Sequence, residues 1–257
     1  MSIQLVGSKW AKTEVLRSAP DLKPFLPETC PYNRESVNAM LDRFGMIYVK
    51  PDNGTFGKGV IRVTKRNGIN LMYVFQSGTR QYRFESFDEM FRELEKVKLP
   101  KPYLVQQGIE LLKHRGRRFD LRVMVQKTPR SRWLSSGVIG RLAHPRKIVT
   151  NYHNGGTLMP VEKLLAGWLA ARDMKRFLSF LRKLGTGCAV AMETKFPGIK
   201  EIGLDVAVDG QGKPWILEVN TKPDPYIFRK LPDRSIFRRI YRFAAAYGRV
   251  GYKRRRR

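Results

Sequence analysis

"IGLDVAVDGQGKPWILEVN" (residues 202–220) reads as two apolar β-strands around an Asp209-Gly210-Gln211-Gly212 turn, the pattern of a hairpin. In the second strand Glu218 and Asn220 are two residues apart, so they share a face, roughly 7 Å apart along the strand, and Ile216 falls on the same face. Counting back across the turn places Asp205 opposite Leu217 or Glu218, and a one-residue slip would reverse its side. Two carboxylates and an amide oxygen on one sheet face are hard ligands, suited to Mg²⁺ shared between protein and substrate phosphates. The alternative is a solvated Asp205 and a Glu218 paired with a surface arginine.

Upstream, "KPDNGTFGKGV" (50–60) follows the apolar run "MIYVK" and carries Gly54, Gly57 and Gly59. Glycines let backbone N–H groups approach phosphate oxygens with no Cβ in the way. In a P-loop a Ser or Thr would follow the Gly-Lys pair and hold Mg²⁺. Here Gly57-Lys58 is followed by Gly59, so the loop is of another kind.

The 257 residues suffice for one large domain or two packed subdomains. Lys and Arg number 50 against 22 Asp and Glu, a net charge of +28, ending in the run Lys253 to Arg257. That charge favours polyanionic partners such as acidic peptides or nucleic acid, and "FRRIYRF" and "YKRRRR" keep a nucleic-acid binder as a rival reading. Two cysteines, Cys30 and Cys188, make neither a disulfide framework nor a Cys-x-x-Cys site, as expected in a reducing cytoplasm. No stretch has the apolar length of a membrane span, so no membrane insertion is expected. His114, His144 and His153 show no metal-ligand spacing.

Apolar periodicity predicts helices at 9–18, 34–45 (stopped by Gly45) and 87–97, with strands at 60–65, 70–77 and 81–86 forming a small antiparallel sheet. The proline-rich segment 20–33 reads as a connector. A subdomain boundary is expected near residue 100, followed by strands at 103–109, 119–127 and 134–143 for a larger sheet. Leu164, Leu165, Trp168, Leu169, Met174, Phe177, Leu178 and Leu181 place residues 161–184 on one helical stripe. The division expected is 1–100, 101–232 and a basic helix and tail at 233–257.

In order, the pieces "KPDNGTFGKGV", "VQQGI", "RFDLRVMV", "NYHNGGT" and "GLDVAVDGQGKPWILEVN" resemble the ATP-grasp superfamily over nearly all of residues 9–223. Through "SKWAK", "LPETCPYN" and "EVNTKPDP" the chain looks most like the YheC/YheD-type proteins associated with the endospore coat. Its core motifs are also similar to ligases that add glutamate to ribosomal protein tails and to D-alanine ligases. The resemblance implies an α+β, ATP-grasp fold: two α+β subdomains with ATP between their sheets and the glycine loop as a lid.

By that resemblance Lys50 contacts the α and β phosphates, Lys9 is a second phosphate lysine, and Gly54, Thr55, Phe56, Gly57 and Gly59 form the lid. Gln106, Gln107 and Ile109 match the hinge that grips adenine, and Asp120 the acid near the ribose. Arg122 matches a phosphate or substrate contact, with pairing to Asp120 as its structural alternative. Arg141 would stabilise charge on the transferred γ-phosphoryl group. Asn151, Gly155 and Gly156 would shape the substrate face. Asp205, Glu218 and Asn220 would hold one or two Mg²⁺, with Mn²⁺ as a substitute.

The implied chemistry is phosphorylation of a substrate carboxylate to an acylphosphate that an amine or other nucleophile displaces. The alternative is a non-catalytic, ATP-binding spore-coat protein. Against that resemblance the sequence is expected to lack the preceding domain that often shapes an acceptor site, which leaves the acceptor undefined; a small molecule, an acidic peptide or polymer, or coat components are the partners considered.

Overall fold

A computed structural model describes residues 3–66, 68, 71–145, 147–150 and 155–251. In chain order the helix α1 (Lys9–Arg17) precedes a single 3-10 turn (Lys23–Phe25), β1 (Thr29–Pro31), α2 (Arg34–Phe44), β2 (Met46–Pro51), β3 (Ile61–Arg66), β4 (Met72–Ser77), β5 (Arg80–Phe84) and α3 (Phe87–Val97). There follow β6 (Tyr103–Gln107), β7 (Lys113–His114), β8 (Arg117–Lys127), β9 (Trp133–Leu142), β10 (Thr157–Met159), α4 (Val161–Leu165), α5 (Ala171–Lys195), β11 (Glu201–Val208) and β12 (Pro214–Asn220). A 3-10 turn (Tyr226–Lys230) and α6 (Arg234–Ala246) complete the described elements.

Local chemistry sets several of these boundaries. Asn33 and Ser36 form a reciprocal capping box at the start of α2, and Gly45 ends it at φ 67°, where a side chain would be strained. Ser86 caps α3 by accepting from the Glu89 N–H. The sequence 161–184 departs from the single stripe expected: Pro160 starts the short α4, and residues 166–170 break the helix before α5. Trp168 falls in that break and is half exposed rather than core.

Two antiparallel sheets carry the site. The first runs β1-β6-β2-β3-β4-β5, the second β10-β9-β8-β11-β12, with β7 alongside β8. The strand β6, expected in the larger sheet, lies in the first, because β1 from the proline-rich connector pairs with it as Thr29 opposite Gln106. The first sheet packs on α2 and α3 through Val37, Leu41, Met90, Leu94 and Phe75. On one face of the second sheet Leu121, Val123, Leu204 and Val219 bury themselves against Leu181, Leu184 and Cys188 of α5 and Leu16 of α1.

Part of its other face is covered by Ile227, Phe228, Leu231 and Ile240, packed on Met124 and Ile139. The rest of that face stays open and holds the charged residues described below. Among the described residues no helix is long and apolar enough to cross a membrane.

The hairpin register settles an ambiguity. Asp205 lies opposite Glu218, but Val206 lies opposite Ile216, so Leu217 is an extra residue in a β-bulge. The bulge moves Ile216 off the Glu218 face into the core beside Val219, contrary to the simple alternation.

Candidate functional site

Between the sheets lies a cavity of about 880 Å³. Of the residues matched to nucleotide, metal or catalytic roles in the sequence, all but Gly59 line it. Gly155 and Gly156 do not, and Asn151 and His153 lie outside the described residues.

The face of the second sheet contributes a buried ion network set by strand register. Asp120 is opposite Arg141 across β8 and β9, and Arg122 is opposite Asp205 across β8 and β11. Arg141 grips Asp120 with two bonds, Nε to Oδ1 at 2.8 Å and Nη2 to Oδ2. Its Nη2 also lies 3.0 Å from Asp205 Oδ2, while Arg122 Nε donates to Asp205 Oδ1 at 2.5 Å. Asp120 therefore pairs with Arg141, not with its strand neighbour Arg122. Thr150, which the sequence did not single out, donates to Asp120 Oδ2 at 2.6 Å.

Gly203 makes room for this network: a Cβ there would lie 3.0 Å from Arg122 Cδ and 2.8 Å from Pro223 Cβ. Burial opposes ionisation of Asp205, yet Arg122 and Arg141 outweigh it and hold its pKa below the usual carboxylate range. Burial likewise opposes the Arg141 charge, and Asp120 and Asp205 prevail, raising its pKa.

The first sheet contributes Lys50. Its ammonium donates to Gln106 Oε1 at 2.7 Å and to Leu217 O at 3.2 Å, the carbonyl of the bulged residue. A hairpin irregularity in one sheet thus meets the lysine of the other. Burial depresses the Lys50 pKa to about 8, partly offset by Glu218. The Gln106 side chain is committed to this contact and to Thr29 Oγ1, and the N–H groups of Gln107 and Gly108 bond Glu28 O and Met46 O. The Ile109 N–H has no backbone partner among the described residues, and Ile109 lines the cavity.

The glycine loop is anchored at its base. Asp52 accepts from the Trp10 N–H at 2.7 Å and from the Ser8 hydroxyl, tying the loop to the N-terminus of α1. Phe56, Gly57 and Gly59 have positive φ, and a Cβ on Gly57 would lie 3.1 Å from Val149 Cγ1, so the tip rests against the segment before Thr150.

The metal reading can be tested on the donor set. Asp205 and Glu218 face each other across the hairpin, and both line the cavity with Asn220. No group of three or more His, Cys, Asp or Glu side chains that could hold a metal occurs among the described residues. Both Asp205 oxygens already face arginines, so Asp205 would offer a cation only its remaining lone pairs; with Glu218 and the Asn220 amide oxygen that donor set fits a cation whose other ligands are phosphate oxygens and water.

Comparison with known proteins adds the decisive observation: a sequence model of YheC/D-like ATP-grasp proteins matches residues 3–250. The chain belongs to the YheC/D-like ATP-grasp family. Among its relatives, the endospore coat-associated protein YheD of Bacillus subtilis (strain 168) is 27% identical over 233 residues, covering 86% of this chain and 49% of YheD. The endospore coat-associated protein YheC of the same organism is 22% identical over 217 residues, covering 84% of this chain and 59% of YheC. The chain thus spans about half the length of these curated relatives. Membership of an ATP-grasp family supports this YheC/D-like chain as an ATP-binding protein.

Proposed function

We propose that this protein binds Mg·ATP between its two sheets and uses it as a carboxylate ligase. The observation that carries the reading is the convergence of Lys50, Arg141, Asp205, Glu218 and Asn220, drawn from both sheets, on one cavity. Lys50 and the N–H groups of the glycine loop hold the phosphates, and the Ile109 N–H meets the adenine edge. Asp205, Glu218 and Asn220 would hold Mg²⁺ or Mn²⁺, which neutralises phosphate charge.

A substrate carboxylate oxygen attacks the γ-phosphorus and ADP leaves. Arg141, fixed by Asp120 and Asp205, stabilises charge on the equatorial oxygens. An amine or other nucleophile then attacks the acyl carbon, inorganic phosphate departs, and the amine gives up a proton. No side-chain nucleophile is needed.

The test is turnover of ATP with Mg²⁺, a mixture of carboxylates and hydroxylamine, read as ADP and hydroxamate. Formation of both, lost in Arg141→Met, supports the ligase. A second reading follows from the names of YheD and YheC: an ATP-binding component associated with the endospore coat, without turnover. Thermal stabilisation by ATP without ADP or hydroxamate would favour it.

A further inference from the structure

Three lysines, Lys9, Lys12 and Lys50, are buried together, and among the described residues one of their ammonium groups has no hydrogen bond. Lys9 and Lys12 are three residues apart on α1, hence on one side of the helix. The Lys9 Nζ lies near three carbonyls at the base of the glycine loop, Pro51 at 2.9 Å, Asp52 at 3.3 Å and Gly54 at 3.4 Å, and is 3.8 Å from Glu218 Oε1. An ammonium has three N–H groups, so Lys9 has an acceptor for each. Lys50 divides its donors between Gln106 and Leu217 O.

Lys12 differs. It is 4% exposed, it lines the cavity, and among the described residues it has neither a hydrogen bond nor an ion pair within 4 Å. It also borders a small crevice of about 20 Å³ shared with Lys9, Lys50 and Glu218. Glu218, Asp52 and Asp205 attract Lys12 only through space, and none of them comes within 4 Å of its ammonium among the described residues. A buried charge with no partner is costly, and such groups are normally paired or bound to a ligand. The missing partner is an anion.

We infer that Lys12 is a further phosphate ligand of the bound nucleotide, and that Lys9 acts chiefly as a latch holding the base of the glycine loop on α1. This rests on the nucleotide reading above. The division of labour reverses what the motif position of Lys9 implies: of the two lysines on this helix face, the one deeper into the helix receives the triphosphate.

The test compares wild type, Lys12→Met and Lys9→Met by calorimetric titration with Mg·ATP, AMP and inorganic triphosphate, and by thermal unfolding of the free proteins. Loss of a hydrogen bond to a charged group is expected to weaken ATP binding of Lys12→Met by roughly ten- to a hundredfold. AMP affinity should stay within about threefold, since this variant keeps the hinge. Without nucleotide, Lys12→Met should melt at or above the wild-type temperature, because an unpaired buried charge is gone, whereas Lys9→Met should melt lower.

ATP affinity of Lys12→Met within twofold of wild type, or failure of that variant to fold, would overturn the inference. If wild type binds triphosphate but not ATP, the nucleotide reading fails while loss of triphosphate binding in Lys12→Met still identifies the anion ligand. Binding of neither by wild type overturns both.

Discussion

Pro51, residues 53–58 and Val60 bound the cavity from a glycine-rich loop, whereas Asp120, Arg122, Arg141 and Asp205 bound it with buried side chains of the sheet face. The loop is held at its base by Lys9 and Asp52, and its tip, with Phe56 and Gly57 at positive φ, touches Val149. The sheet face is over-determined: each charge has a partner in a neighbouring strand, and Thr150 adds a bond. A wall of paired ions can present Arg141 and Asp205 in fixed positions, while a wall of glycines can follow a ligand. Preorganisation and adaptability are thereby assigned to different elements.

Breaking the rigid side has the larger consequence. Arg141→Met removes the two-bond partner of Asp120 and one partner of Asp205, and leaving buried charge unpaired costs about 3–5 kcal/mol. Urea unfolding should show that loss, and a loss below about 1 kcal/mol would mean the network is solvated.

A smaller effect is expected of Gly203→Ala, whose Cβ must displace Arg122 or Pro223; overpacking of this kind costs about 1–3 kcal/mol. On the flexible side, Gly57→Ala places a side chain at φ 69° against Val149. The left-handed conformation costs about 1–2 kcal/mol, expected mainly as weaker ATP binding rather than as lost global stability. Equal losses in both would erase the distinction between the two walls.

The smallest effect concerns protons. Lys50, depressed to about 8 by burial, faces Glu218, Asp205, Lys9 and Lys12. Phosphate would favour its charged form, so ATP binding near pH 8–9 should take up protons, and affinity should fall as pH rises above about 8. In the free protein the sign is opposite: the unfolded chain binds more protons than the folded one between about 8 and 10.4, so this lysine's contribution to stability grows with pH. Calorimetry in buffers of different ionisation enthalpy reads the uptake directly; no uptake at pH 8.5 would separate Lys50 from the phosphates.

The two walls also differ in how far the sequence reveals them. The glycine loop, the hairpin and the Glu218-Asn220 spacing are local patterns, visible because period and turn chemistry act over a few residues. The pairing of Asp120 with Arg141 depends on register between strands 21 residues apart, and strand neighbours offered Arg122 instead. The bulge at Leu217 has no signature in an otherwise alternating strand, yet it supplies the carbonyl that meets Lys50.

The placement of β6 hinged on three residues, Thr29 to Pro31, inside a segment whose prolines argue for a connector. Lys12 carried a faint signal, its helical spacing from Lys9, lost among 50 basic residues. Arg249 also lines the cavity, its Nε held at 2.8 Å by the fully buried Glu201, and a separation of 48 residues gave no hint of that contact.

Titration of ATP into the wild-type protein, with Mg²⁺ and then with chelator, tests the central claim most directly. One site per chain is expected, tighter with Mg²⁺, with loss of that Mg²⁺-dependent gain in Glu218→Gln. Absence of ATP binding with Mg²⁺ present, or identical binding in Glu218→Gln, would contradict it.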